Sequence, residues 1–255
     1  MSKSKRPKYQ EPRHKPISTE FDDQFAHHEL KIKKITPKND AQTHYMRKIN
    51  GSSIIFGVGP AGTGKTWLST VMAAQALKNG IIDKVIVTRP AVEVGESLGF
   101  LPGELEEKYE PYLRPVKDAF IDALGAGQTE YYIKAGKIEP RPLQFLRGST
   151  LKTWVLADEM QNSTPTEMKM LLTRFGEGGK FIINGDIKQK DIPGPSGLVD
   201  ALYKLKGLDD VAICNFGRDD IVRHGIVRHI IDRYEGTEGY FDTQEGLNNF
   251  LAQKP

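Results

Sequence analysis

The sequence predicts a three-layer α/β fold with a mostly parallel central sheet. Two observations lead to this prediction. Short apolar runs rich in β-branched residues alternate with segments of helical periodicity, an order typical of parallel sheets covered by helices. Polar or glycine-rich turns follow these runs. The predicted strands are 54–58, 85–88, 153–157, 180–184 and 211–215.

A glycine-rich segment joins the first predicted strand to a predicted helix. Residues 59–66 read GPAGTGKT, which fits the phosphate-binding pattern G-x-x-x-x-G-K-[ST]. Glycines let several backbone N–H groups point at one anion, and the next helix directs its positive end to the same place. The motif predicts a P-loop NTPase in which Lys65 contacts the β- and γ-phosphates and Thr66 binds Mg²⁺. The predicted nucleotide-binding residues are Gly59, Pro60, Ala61, Gly62, Thr63, Gly64, Lys65, Thr66, Trp67 and Gln42.

Polar residues follow two further strands at the edge that faces the ligand in open parallel sheets. Asp158 and Glu159 come directly after the strand at 153–157. We expect Asp158 to hold Mg²⁺ through its water, and Glu159 to orient and deprotonate the attacking water. Gln189, after the strand at 180–184, is placed to sense the γ-phosphate, and a turn amide is the alternative interpretation.

Two other polar residues have both a functional and a structural interpretation. Gln42 lies on a predicted helix upstream of the loop, and its amide offers a donor beside an acceptor, which matches an adenine edge. The alternative is an exposed helical glutamine. Arg89 follows the strand at 85–88 and is placed for a phosphate or nucleic-acid contact, whereas the alternative is a surface salt bridge.

Composition restricts the class of protein. No apolar run approaches the roughly 18 residues of a membrane helix, and the N-terminus lacks the apolar core of a secretory signal. The single cysteine, Cys214, excludes an internal disulfide, suits a cytoplasmic location and lies in an apolar run typical of a buried thiol. Residues 1–30 are predicted to form a basic, disordered tail, which attracts phosphate backbones or only improves solubility.

The predicted ATPase domain spans residues 31–235, and 236–255 is an appended segment with a helix at 243–252. Residues 91–150 are predicted to be an irregular insertion at the sheet edge, with one helix at 115–124. Cationic and aromatic residues alternate there, a composition that suits a single-stranded nucleic acid, although the aromatic residues have packing as their alternative role. The predicted nucleic-acid contacts are Arg89, Arg114 and Arg147.

Four motifs in one order resemble those of the PhoH family. They are GPAGTGKT at 59–66, TRP at 88–90, DEMQN at 158–162 and GDIKQ at 185–189. The segment FGRDDIVRH at 216–224 resembles a further family signature. The resemblance covers residues 35–235. It implies ATP hydrolysis, a RecA-like sheet similar to the first motor domain of superfamily 1 helicases, a link to RNA metabolism or unwinding, and hexamers in many members.

The number of motor domains adds a constraint. Superfamily 1 helicases place the nucleotide between two motor domains, and the second domain supplies an arginine. This sequence has room for only one motor domain. Such an arginine raises the rate of phosphoryl transfer about 10³–10⁵-fold in related systems. We therefore expect a head-to-tail ring, a hexamer, with an arginine acting in trans. The candidates are Arg223 and Arg174, ranked first, and then Arg218 and Arg228.

Three functions remain to be separated. The first is an ATP-driven motor that binds and unwinds or remodels RNA or single-stranded DNA. The second is an ATP-switched binding or assembly module without helicase activity. The third, a small-molecule kinase, is disfavoured by Glu159, because a kinase must avoid activating water. Stimulation of ATP turnover by single-stranded nucleic acid distinguishes the first function from the second.

Overall fold

The structure of the protein, a computed structural model, describes residues 35–90, 105–222, 226, 233, 241 and 243–252, with the side chains of 105–113 left out. In this part of the chain the strands form one parallel sheet in the order β3-β2-β4-β5-β1-β6. The strands are β1 (Ile54–Val58), β2 (Val85–Thr88), β3 (Ile138–Pro140), β4 (Trp154–Ala157), β5 (Lys180–Gly185) and β6 (Val211–Asn215).

Helices cover both faces of the sheet and give the predicted three layers. They are α1 (Asp40–Gly51), α2 (Lys65–Lys78), α3 (Leu105–Leu124), α4 (Ala126–Lys134), α5 (Pro165–Leu172), α6 (Gly197–Leu205) and α7 (Gln244–Ala252). Helices α1–α4 contribute to one apolar cluster and α5–α7 to the other. Alternation along the strands separates the two faces, since Ile55 belongs to the first cluster and Phe56 to the second. This is the RecA-like fold of P-loop NTPases.

Local sequence signals explain where the helices begin. Thr164 caps α5, because its Oγ1 accepts from the Glu167 backbone N–H at 3.2 Å while Glu167 Oε2 accepts from the Thr164 N–H at 2.8 Å. Pro165 follows at the first helical position, where its missing N–H costs nothing. At α1, Asn39 Oδ1 accepts from the Gln42 backbone N–H at 2.8 Å.

The segment predicted as an irregular insertion is more regular than expected where the structure describes it. It forms α3, α4 and β3, and β3 extends the sheet by pairing in parallel with β2. Val116, Phe120 and Ile138 are buried, so the segment belongs to the core. Strand β3 escaped prediction because it is only three residues long and contains Pro140, which a sheet tolerates at an edge. Residues 91–104 lie outside the described residues.

The structure describes a helix near the C-terminus but none of the first 34 residues. The predicted basic tail and the candidate arginines Arg223 and Arg228 lie outside the described residues. The predicted C-terminal helix is confirmed as α7, whose Leu247 and Leu251 are buried in the second apolar cluster. Among the helices described, none is both long and apolar enough to cross a membrane.

The only thiol of the sequence is expected to be unreactive toward thiol reagents in the folded protein. Cys214 lies on β6 and is 1% exposed, and burial raises the pKa of its thiol to about 12, although Lys48 opposes the shift. Because the thiolate is the reactive form, an aromatic disulfide reagent at pH 8 should modify none of the folded protein and one thiol per denatured chain. Rapid modification of native protein would contradict this placement.

Candidate active site

The phosphate-binding loop joins β1 to α2 through a backbone that requires glycine. Gly59, Gly62 and Gly64 have φ angles of 146°, 84° and 89°. A Cβ on Gly59 would lie 2.2 Å from the backbone oxygen of Phe216, which follows β6. The Phe216 N–H donates to the oxygen of Val58 at 2.7 Å. The loop is therefore held closely against the segment after β6.

Lys65 directs its ammonium group into the loop. Its Nζ donates to the backbone oxygens of Gly59 and Pro60 at 2.7 and 2.8 Å and lies 3.2 Å from Thr63 Oγ1. Burial lowers the pKa of Lys65 to about 8, and nearby carboxylates, first that of Asp186, oppose the shift. A phosphate oxygen is a stronger acceptor for an ammonium group than a neutral carbonyl. This buried cation therefore fits a triphosphate on the loop.

Thr66 and Asp158 bring two oxygen ligands together. Thr66 Oγ1 donates to the Asp158 carboxylate, at 3.0 Å from Oδ1 and 3.2 Å from Oδ2. Asp158 is 8% exposed, and burial, reinforced by the charge of Glu159, raises its pKa to about 6. Mg²⁺ is usually held by one or two such groups plus phosphate oxygens, and its charge would favour the ionised carboxylate. The pair therefore fits the predicted magnesium site.

Glu159 is held from two sides at the end of β4. Its φ of 54° is unusual for a residue other than glycine and costs of order 1 kcal/mol or more. Gln161 Nε2 donates to Glu159 Oε2 at 2.5 Å, and the Arg89 guanidinium lies 3.7 Å from Oε1. The strained backbone and the two partners aim this carboxylate at the cavity that it lines.

Gln161 belongs to the DEMQN motif at 158–162, but the sequence predicts no role of its own for this residue. Its side chain is 1% exposed and joins the ends of two strands. Besides contacting Glu159, its Nε2 donates to the backbone oxygen of Gln189 at 3.1 Å, and its Oε1 accepts from the Asp186 N–H at 3.0 Å. Its position two residues after Glu159 is the signal that could have found it. Gln161 therefore links the proposed base to the segment after β5.

A cavity of about 600 Å³ connects these groups. This volume falls within the usual range for small-molecule sites. The phosphate-binding loop, the carboxyl ends of β4 and β5, and helix α3 form its walls. Its lining residues are Ala61, Gly62, Gly64, Lys65, Thr66, Trp67, Pro115, Asp118, Ala119, Asp122, Asp158, Glu159, Gly185, Asp186, Gln189 and Val222.

The side-chain amide of Gln42, which the sequence predicts to contact adenine, is bonded to the protein backbone in the structure. Gln42 is 3% exposed, and its amide holds the protein backbone on both sides. Oε1 accepts from the Lys38 N–H at 2.8 Å, and Nε2 donates to the backbone oxygen of Thr63 at 2.9 Å. The residue does not line the cavity. The amide ties α1 to the loop because α1 packs directly against it.

The predicted functional arginines lie on different parts of the domain. Arg89 reaches Glu159, whereas Arg114 and Arg147 are exposed on α3 and after β3, respectively. Arg174 lies near the amino end of β4, whereas the cavity lies at the carboxyl ends of the strands. The backbone oxygen of Arg174 accepts a hydrogen bond from the N–H of Leu151, which precedes β4. Arg218 lies in the turn after β6. Arg174 therefore lies away from the cavity, which it does not line.

Comparison with known proteins identifies the family. A family model described as PhoH-like protein matches residues 34–235. A PhoH-like protein of Bacillus subtilis is 51% identical over 208 residues, which are 80% of this chain and 65% of that protein. Protein PhoH of Escherichia coli K12 is 43% identical over 205 residues, 78% of this chain and 58% of the relative. The chain thus spans less than two thirds of the length of these relatives.

Comparison with solved structures gives matches of low sequence identity with TM-scores below 0.5. The large terminase of a thermophilic bacteriophage aligns with a TM-score of 0.48 and 12% identity, over 79% of this chain and 52% of the terminase. The UvsW helicase of bacteriophage T4 gives 0.41 and 15%, over 76% and 65% of the two chains. The match of the family model over residues 34–235, together with the four motifs, shows that this chain belongs to the PhoH family.

Proposed function

We propose that this chain is a Mg²⁺-dependent ATPase that couples hydrolysis to the binding, and to the unwinding or remodelling, of RNA or single-stranded DNA. The observation that supports it best is the contact of the Thr66 hydroxyl with the Asp158 carboxylate, beside Glu159 and Lys65 in one cavity. A phosphate-binding loop alone would serve many chemistries. The adjacent carboxylate lining the same cavity favours hydrolysis.

In this mechanism the loop N–H groups and Lys65 bind the β- and γ-phosphates, and the lysine exchanges its carbonyl partners for phosphate oxygens. When bound, Mg²⁺ would neutralise charge on those oxygens, and Thr66 and Asp158 would hold it. Glu159 orients a water and accepts its proton as the water oxygen bonds to the γ-phosphorus. The bond to the β–γ bridging oxygen breaks, which gives ADP and inorganic phosphate.

Arg89 supports the coupling of this step to nucleic acid. It follows β2, which pairs directly with β4, and its guanidinium lies 3.7 Å from Glu159. A phosphate backbone that binds Arg89 would therefore act directly on the orientation of the proposed base. Arg114 and Arg147 supply further exposed cations, and the sum of such contacts makes the binding salt-dependent.

Steady-state phosphate release with and without single-stranded RNA or DNA tests this coupling. We expect nucleic acid to raise the turnover of the wild type. In Arg89→Ala, the nucleic-acid concentration needed for half-maximal stimulation should rise about 10- to 150-fold, because one charge-assisted contact is worth about 1.5–3 kcal/mol. Lys169→Ala, which removes an exposed cation from α5, is the control and should behave as wild type. Turnover that nucleic acid leaves unchanged would favour an ATP-switched assembly module.

Arg174 and the cavity lie at opposite ends of β4, and this separation supports a ring with a trans-acting arginine. Leu151, which contacts Arg174, precedes Asp158 by seven positions, and an extended chain of that length spans about 20 Å. In a head-to-tail ring, the surface of one subunit contacts a different surface of its neighbour, so the face that carries Arg174 can meet the face that carries the cavity. Arg174 of one subunit would thereby approach the cavity of the next, and Arg223 remains the second candidate.

A further inference from the structure

We propose that the wall formed by Trp67 and α3 binds the nucleoside half of the nucleotide, in place of the role expected for Gln42. This inference rests on the proposed ATP site. The cavity extends from the phosphate-binding loop to α3, which contributes Pro115, Asp118, Ala119 and Asp122 to its lining. Helix α3 packs along α2, so this wall is a fixed part of the fold.

A hydrogen bond fixes the aromatic part of this wall. Trp67 Nε1 donates to Asp122 Oδ2 at 2.9 Å, which joins the first turn of α2 to α3 and sets the direction of the indole. Trp67 directly follows Thr66, so the chain brings this ring to the point where a triphosphate leaves the loop. An indole offers a large polarisable surface for stacking with a base.

The chemistry of the wall suits a nucleoside and is unsuited to phosphate. The carboxylates of Asp118 and Asp122 would repel a phosphate chain, but they accept hydrogen bonds from neutral donors. The two residues lie four positions apart, hence on one face of α3. Asp122 holds Trp67, so Asp118 is the acceptor that we assign to the nucleoside. Its donor is either a ribose hydroxyl or the 6-amino group of adenine.

The positions of the other groups give the nucleotide its direction. Asp158, Glu159 and Gln189 place the γ-phosphate at the carboxyl ends of β4 and β5. The side of the loop that faces α1 is closed by the buried amide of Gln42. Among the described walls, the one that Trp67 shares with α3 is then left for the base and ribose.

Tryptophan fluorescence tests the inference directly, because the sequence contains only Trp67 and Trp154. In Trp154→Phe, the emission of Trp67 should change when Mg·ADP binds. Mg·tripolyphosphate should compete with ADP without causing that change. In otherwise wild-type protein, Trp67→Ala should weaken ADP binding about tenfold and leave tripolyphosphate binding unchanged, whereas Trp67→Tyr should retain most of the ADP affinity.

Asp118→Ala identifies the donor group. If Asp118 accepts from the ribose, the variant should lose the preference for ADP over 2′-deoxy-ADP. If it accepts from the amine, it should lose the preference for ADP over the inosine analogue. Equal effects of Trp67→Ala on ADP and tripolyphosphate, or both preferences intact in Asp118→Ala, would overturn the inference.

Lys65→Ala serves as the reference for the phosphate end and should weaken both ligands together. Should the wild type bind neither ADP nor tripolyphosphate, the proposed ATP site itself would be wrong. Should it bind both with no contribution from Trp67, only the nucleoside wall would be wrong. Thermal unfolding of each variant without nucleotide verifies that its fold is intact.

Discussion

Glu159→Gln is expected to slow ATP hydrolysis by about 10²–10⁴-fold, the usual contribution of a general base, while ATP still binds. The amide has nearly the same shape as the carboxylate, but it cannot take a proton from water at neutral pH. Its oxygen can still accept from Gln161 Nε2, so the site should keep its architecture. Single-turnover hydrolysis and nucleotide affinity, measured on the same preparation, separate the chemical step from binding.

Glu177→Gln is the matched control, because Glu177 is an exposed glutamate in the turn before β5. It should hydrolyse ATP at the wild-type rate. A Glu159→Gln protein that turns over within twofold of the wild type would show that another group activates the water. A variant that no longer binds ATP would instead assign Glu159 a structural role.

Loss of the trans-acting arginine is expected to lower turnover by about 10³–10⁵-fold, the range measured for arginine fingers. Arg223→Ala and Arg174→Ala are the two variants to compare. The correct one should be inactive alone and should recover activity when mixed with Glu159→Gln, since some interfaces then combine an intact glutamate with an intact arginine. With random mixing in equal amounts, about one quarter of the interfaces in a head-to-tail ring are of this kind.

Arg47→Ala, on the exposed side of α1, is the control for removal of a cation and should remain active alone. Sedimentation with bound nucleotide measures the assembly in the same samples. A monomeric mass at every concentration, together with no recovery on mixing, would contradict the ring. Recovery with one arginine variant but not the other would identify the residue.

The part of the site that is predictable from sequence is carried by short-range patterns. The loop motif needs only the spacing from Gly59 to Thr66, and the acidic pair needs only a buried strand with Asp158 at its end. Parallel strands then bring both to one edge of the sheet, which follows from topology rules without coordinates. The contact between Thr66 and Asp158 is the structural result of these two local signals.

The missed features depend on contacts between distant segments. Gln161 gains its role only when the ends of β4 and β5 lie side by side. The amide of Gln42 could read a base or hold a backbone, and only the packing of α1 on the loop decides between them. The bond from Trp67 to Asp122 spans 55 positions of the chain and has no local signature.

The most direct measurement is Mg²⁺-dependent release of inorganic phosphate from ATP by the wild type and by Lys65→Ala. The site geometry predicts phosphate release by the wild type that stops when Mg²⁺ is chelated, and little release by the variant. Equal release by both proteins would contradict hydrolysis in this cavity. A phosphorylated small molecule in place of inorganic phosphate would contradict the assignment of Glu159 and make the protein a kinase.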